Sequence, residues 1–149
     1  MRIDTILVPT DFSTHADRAL DYAIGLAKVF SARIHLVHAY HLPVQVALPE
    51  QVIVPNDFWD QVRDAAAAQM EGSLARVTAA GVACDAELLP DAAAPAVVEA
   101  AARGGADLIV MGTRGLTGMK HVVLGSVAER VVRLAPCPVL TLREDAPRS

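Results

Sequence analysis

The chain has 149 residues, 53% of them hydrophobic and 20% charged, with a formal net charge of −4; this balance is too apolar for disorder and suits one domain with a well-filled core. An acidic chain with 4% aromatics lacks the broad basic face and stacking rings that nucleic acid requires. No apolar run reaches the roughly 18 residues of a membrane span, and "MRIDTILVPTDFS" breaks its short apolar stretch at Pro9 and Asp11, unlike a signal peptide. The expectations are a cytoplasmic location and no nucleic-acid or membrane partner.

In chain order, "ILVP" closes a branched apolar run that predicts a buried strand over 3–8, stopped by Pro9. Ala16, Leu20, Ala23, Ile24, Ala27 and Phe30 then recur at helical spacing behind a capping Ser13. "RIHLVHAY" returns to strand character. A loop with Pro43, Pro49 and Pro55 follows; its run of valines and Ile53 predicts packing against the protein rather than solvation. A long helix is expected from a cap at Asn56 through Trp59, Val62, Ala66, Met70, Leu74 and Val77 to Gly81. "VACDAELLP" predicts a third strand, "AAPAVVEAAARGG" a helix closed by Gly104 and Gly105, and "ADLIVMG" a fourth, fully buried strand. "SVAERVVRLA" is the last helix, and Pro136 and Pro138 isolate "VLTLR" as a fifth strand.

This βαβαβαβαβ alternation predicts an α/β fold with helices on both faces of a parallel sheet, because crossovers are right-handed. One domain over 1–149 is expected, with a variable loop at about 41–55 and a loose tail at 144–149. Cys84 and Cys137 have no companions at metal-ligand spacing and read as two buried thiols.

In open parallel sheets, ligands bind beyond the carboxyl ends of the strands, where the winding direction reverses. If the strand order is 3-2-1-4-5, the "PTDFS" loop after strand one and "GTRGLTGMKHVVLGS" after strand four face each other there. Gly112 and Gly115 then let the main chain turn sharply and present N–H groups, and Gly125 permits close approach before the helix that opens at Ser126. A helix start there holds an anion through its unpaired amides and dipole, and the Ser126 hydroxyl adds a donor. Ser126 also reads as an ordinary helix cap. Arg114, Lys120 and His121 read either as a solvated loop face or as partners of that anion. Asp11 either caps the first helix or accepts ribose hydroxyls.

Gly112-x2-Gly115-x9-Gly125-Ser126 resembles the G-x2-G-x9-G-S/T nucleotide motif of the universal stress protein family. "ILVPTDFS" resembles that family's opening strand and acidic loop, and "APCPVLTLR" its closing strand, so the resemblance runs from Ile3 to Arg143. It implies a three-layer, doubly wound, Rossmann-like domain that binds ATP, with or without magnesium, and forms a homodimer through the last strand. Pro9, Thr10 and Asp11 would line the adenosine end, with Asp11 at the ribose. Ala39 would meet adenine through its backbone, and Met111, Gly112, Arg114, Gly115, Gly125, Ser126 and Val127 would wrap the ribose and phosphates.

Other chemistries find less support. The P-loop pattern is absent and no lysine precedes Ser126, so phosphoryl transfer would be slow at best. His35 and His38 stand an odd number apart on a strand and face opposite ways, which argues against a shared metal ion. Met70, Met111 and Met119 read as packing, and no nucleophile elbow is present. A nucleotide-responsive regulator is the first functional expectation; a nucleotide-independent dimeric scaffold for a protein partner, and a slow ATPase or phosphotransferase, are the alternatives.

Overall fold

Adjacent strand residues point to opposite sides of a sheet, and in this chain both sides are apolar. In a computed structural model, which describes residues 1–40, 55–114 and 124–143, the elements run β1 (Thr5–Pro9), α1 (Thr14–Phe30), β2 (Arg33–Ala39), α2 (Phe58–Ala79), β3 (Cys84–Leu89), α3 (Ala93–Gly104), β4 (Leu108–Gly112), α4 (Ser126–Leu134) and β5 (Val139–Leu142). All strand pairs are parallel and the sheet order is β3-β2-β1-β4-β5, the expected arrangement. Ile6, Val8, Ile34, Leu36 and Val110 pack beneath α1 and α2, where Leu20, Ile24, Met70 and Val77 meet them. Leu7, Val37, Ile109 and Met111 face the other way, against Val97 and Ala101 of α3 and Ala128 and Val131 of α4. Such burial on both faces explains the unbroken apolar runs of the central strands.

The element boundaries correct several expectations. Pairing of β1 begins at Thr5 rather than at residue 3, because the amides of Asp4 and Thr5 donate to the Asp107 carboxylate at 2.9 and 3.0 Å. Those two backbone bonds hold the Asp107 carboxyl below its usual range. The long helix starts one residue later than its expected cap at Asn56: Asp57 is the N-cap, and its side chain makes no capping hydrogen bond. Gly105, at φ +60, takes the left-handed cap after α3, and Gly104 is the last helical residue.

Neither cysteine is fully buried: Cys84 lies on the edge strand β3 and Cys137 just before the edge strand β5, and both are partly buried. The rings of His35 and His38 do meet different partners. His35 bridges Asp85 (2.7 Å) and Glu87 (3.3 Å) on β3, while His38 reaches the Thr10 carbonyl at 2.7 Å. Burial works to raise the Asp85 carboxyl, but His35 and Arg33 beside it overcome this and hold it low. The packing of the 41–54 loop, the tail at 144–149, and Gly115, Lys120 and His121 lie outside the described residues. No helix among the described residues is long and apolar enough to cross a membrane.

Candidate functional site

The order β2-β1-β4 places the reversal of winding between β1 and β4, and the chain leaves both strands there into a cavity of about 290 Å³. From the β1 side come Pro9, Thr10 and Asp11; from the β4 side Met111, Gly112, Thr113 and Arg114; and from α4 and its cap Gly125, Ser126, Val127 and Ala128. Ala39 lies at the end of β2. Every expected site residue within the described segments therefore lines one cavity, although the two contributing loops are about a hundred residues apart in sequence.

The β1 turn is held by its own side chains. Thr10, 7% exposed, accepts the Phe12 amide on Oγ1 at 3.0 Å, and Asp11 Oδ1 accepts the Ser13 amide at 3.0 Å. Ser13 Oγ then accepts the Ala16 amide at 3.2 Å, so Ser13, and not Asp11, caps α1. Phe12 takes a left-handed φ of 62°, a conformation that disfavours a bulky side chain. Its ring is seated on His38, with centroids 4.4 Å apart, and His38 Nδ1 contacts the Thr10 carbonyl. His38 thus braces the turn that presents Asp11.

On the other side, Gly112 and Gly125 are needed for space rather than for an unusual backbone angle, since positive φ among the described glycines occurs at Gly81 and Gly105. A Cβ on Gly112 would stand 3.2 Å from the His15 carbonyl oxygen of α1; one on Gly125 would stand 2.7 Å from the Thr113 carbonyl oxygen. The Gly125 amide donates to that same oxygen at 2.6 Å, pinning the start of α4 to the end of β4. Gly112 was expected to free a sharp turn; instead it lets α1 approach the sheet. Ser126 was one candidate cap, but Gly125 occupies that place and Ser126 is the first helical residue.

Gly125 has no side chain with which to cap α4, and Ala92, before α3, makes no side-chain capping bond either. Both helices begin at the cavity, through Ala93 of α3 and Ser126 to Ala128 of α4. Two helix amino termini, where unpaired amides and the positive ends of dipoles lie, thus border one space. The cavity offers backbone donors and a guanidinium at one end, one carboxylate at Asp11, and apolar walls from Val37, Val97 and Met111. That equipment suits a ligand with an anionic tail and a flat apolar body. Thr113, Ala16, Val37, Ala93, Val97 and Ala128 escaped the sequence reading. Thr113 lay in plain view between Gly112 and Arg114; the small apolar residues carry no chemical signature.

This cleft at the switch point of a parallel sheet defines an α/β protein of Rossmann-like type. The sequence profile described as the universal stress protein family matches residues 2–143, and the chain belongs to that family. A universal stress protein of Thermus aquaticus is 41% identical over 141 residues, spanning 93% of this chain and 98% of that protein. The solved structure of the hypothetical protein MJ0577 is similar with a TM-score of 0.86 at 25% identity, covering 98% of this chain and 99% of that one. A universal stress protein crystallised in complex with cAMP is similar at 27% identity with a TM-score of 0.68, covering 95% and 98%.

Proposed function

We propose that this universal stress protein is a nucleotide-responsive regulator that binds ATP, with or without magnesium, in the cleft between β1 and β4. Pro9, Thr10 and Asp11 hold the adenosine end, with Asp11 accepting ribose hydroxyls, and Ala39 meets adenine through its backbone. Met111, Gly112, Arg114, Gly115, Gly125, Ser126 and Val127 enclose the ribose and phosphates. The observation that carries this reading is the convergence of the β1 turn, the β4 end and two helix amino termini without side-chain caps on one cavity. Gly125 supports it, because the place a Cβ would fill is backbone against backbone, which draws the α4 amides up to the cavity wall. The cAMP complex of a relative supports an adenine nucleotide as the ligand class. The protein works as a cytoplasmic homodimer joined through β5, whose outer edge has no neighbouring strand among the described residues. Bound nucleotide favours one arrangement of the glycine loop and so of a partner surface; hydrolysis, if measurable, is slow.

Purified protein assayed by absorbance and mass spectrometry should carry an adenine nucleotide. Added ATP and magnesium at a hundredfold excess over Kd should stabilise the fold by about 2.7 kcal/mol, a rise of roughly 5–11 °C in melting temperature at this chain length. Protein that purifies empty and melts unchanged would overturn the reading and favour the scaffold. Phosphate release faster than that of an Asp11→Ala variant would favour the ATPase.

A further inference from the structure

Both main-chain groups of Thr10 are fastened to β2. Its amide donates to the Val37 carbonyl at 2.8 Å, and its carbonyl accepts from His38 Nδ1 at 2.7 Å. The first bond extends the ladder that pairs Pro9 with Val37; the second comes from a side chain, at the point where the chain turns away from the sheet. A carbonyl oxygen only accepts, so Nδ1 carries the proton in this contact.

Two residues later the backbone enters the left-handed region, at Phe12 with φ 62°. The other described non-glycine residue with positive φ is Ser31, which caps the carboxyl end of α1, where that conformation is ordinary. Phe12 instead precedes a helix, and its bulky side chain disfavours the conformation. Strained residues of this kind persist where their surroundings over-determine them, and they gather at binding turns. The surroundings here are the Thr10 hydroxyl, which accepts the Phe12 amide at 3.0 Å, the core beneath α1 and α2, against which Phe12 packs, and the His38 ring, whose centroid lies 4.4 Å from that of Phe12. His38 therefore touches the turn on both sides of Asp11. It does not itself line the cavity, whereas Thr10, Asp11 and its own neighbour Ala39 do.

We propose that His38 is a positioning residue for the nucleotide: it contacts no ligand, and by donating to the Thr10 carbonyl and seating Phe12 it holds the strained turn in the form that offers Thr10 and Asp11 to the adenosine end. The inference rests on the nucleotide reading above. It also gives histidine a reason at this place in β2. Ile34 and Leu36, on the same face of the strand, fill the core; at position 38, level with the turn, a donor is required as well as a ring.

The test compares ATP affinity, by calorimetry on the full chain well below its melting temperature, in the parent, His38→Leu and His38→Asn. Leucine fills the space without a donor, whereas the asparagine amide offers an N–H where Nδ1 stands but no ring. His38→Leu should bind about tenfold more weakly, the scale of one hydrogen bond. His38→Asn should recover most of that loss while melting no higher than His38→Leu, so that affinity follows the donor and not the stability of the fold. Heteronuclear NMR of isotope-labelled histidine in the unsubstituted protein at about pH 8, where imidazoles are ordinarily neutral, should show His38 protonated at Nδ1, a readout that needs no variant to fold. A bare Nδ1, equal ATP affinity in the parent and His38→Leu, or an asparagine variant as weak as the leucine one would overturn the inference and leave the nucleotide reading standing. A parent that binds no ATP would overturn both.

Discussion

Replacing Gly125 by alanine probes the junction on which the candidate site is built. The new Cβ would lie 2.7 Å from the Thr113 carbonyl oxygen, with Thr113 C at 3.7 Å and Arg114 Cα at 3.8 Å. Separations below 3.0 Å are essentially never seen for a real Cβ, and the obstacle is backbone, which cannot rotate away. The start of α4 must therefore back off from the end of β4, weakening the 2.6 Å bond from the Gly125 amide to the same oxygen. Loss of that bond removes about 0.5–1.5 kcal/mol, and strain of the overpacked kind adds about 1–3 kcal/mol. Against this, alanine restricts the unfolded chain and returns about 0.4–1 kcal/mol. The net loss is about 1–3 kcal/mol, or roughly 2–12 °C in melting temperature at this size. Urea unfolding and calorimetry give the stability, and titration with ATP should show at least tenfold weaker binding, because the displaced amides are those the proposed ligand uses. Gly25, exposed on α1 with nothing within 4 Å of a built Cβ, provides the contrast. Gly25→Ala should raise stability by about 0.5–1 kcal/mol through helix propensity. If Gly125→Ala were as stable as the parent and bound nucleotide equally well, close approach would not be the reason for glycine at this position.

Three further outcomes are expected. Ser13→Ala removes the acceptor of the Ala16 amide and should lower stability in denaturant melts by about 1 kcal/mol; an unchanged midpoint would mean that α1 is capped otherwise. Arg76→Ala unties α2 from Asp17 and Asp21. With these groups well exposed the loss should be only about 0.5–1 kcal/mol, and smaller again in 1 M salt, which unfolding at two ionic strengths would check. Burial pushes the Cys84 thiol from an ordinary 9.0 up to about 11, with Asp85 adding to the effect and Arg33 opposing it. At pH 8 the reactive thiolate is then scarcer by about a hundredfold than in an ordinary cysteine. In a Cys137→Ser background, alkylation should keep accelerating about tenfold per pH unit up to pH 10, and a plateau near pH 9 would refute this.

The order of the strands was legible because Pro9, Gly81, Gly104–Gly105 and Pro136–Pro138 punctuate runs whose length and apolarity suit strands and helices buried on both sides of a sheet. The residues that line the cavity were legible because glycines cluster after one strand and an aspartate follows another. What went unread depends on tertiary placement. Ser126 as cap and Ser126 as first helical residue differ by one position, and only the contact of Gly125 with Thr113 decides between them. Asn56 and Asp57 are equally good caps on pattern, and neither side chain announced that the helix would start without a capping bond. His38 reads as a candidate ligand in isolation, whereas the left-handed turn at Phe12 makes it a brace. Ala16, Ala93 and Val97 enter the cavity wall only because α1 and α3 both reach the switch point. The cysteines were expected inside because thiols usually are, and they are partly exposed because Cys84 lies on, and Cys137 just before, a strand with a neighbour on one side only.

The main-chain bond between Thr113 and Gly125 closes a neck. Whatever length or composition the intervening 114–124 segment has, the end of β4 and the start of α4 are held together, so the entropy cost of closing the segment grows only slowly with its length. Insertions or deletions between these two residues can therefore be accommodated while β4 and α4 keep their junction.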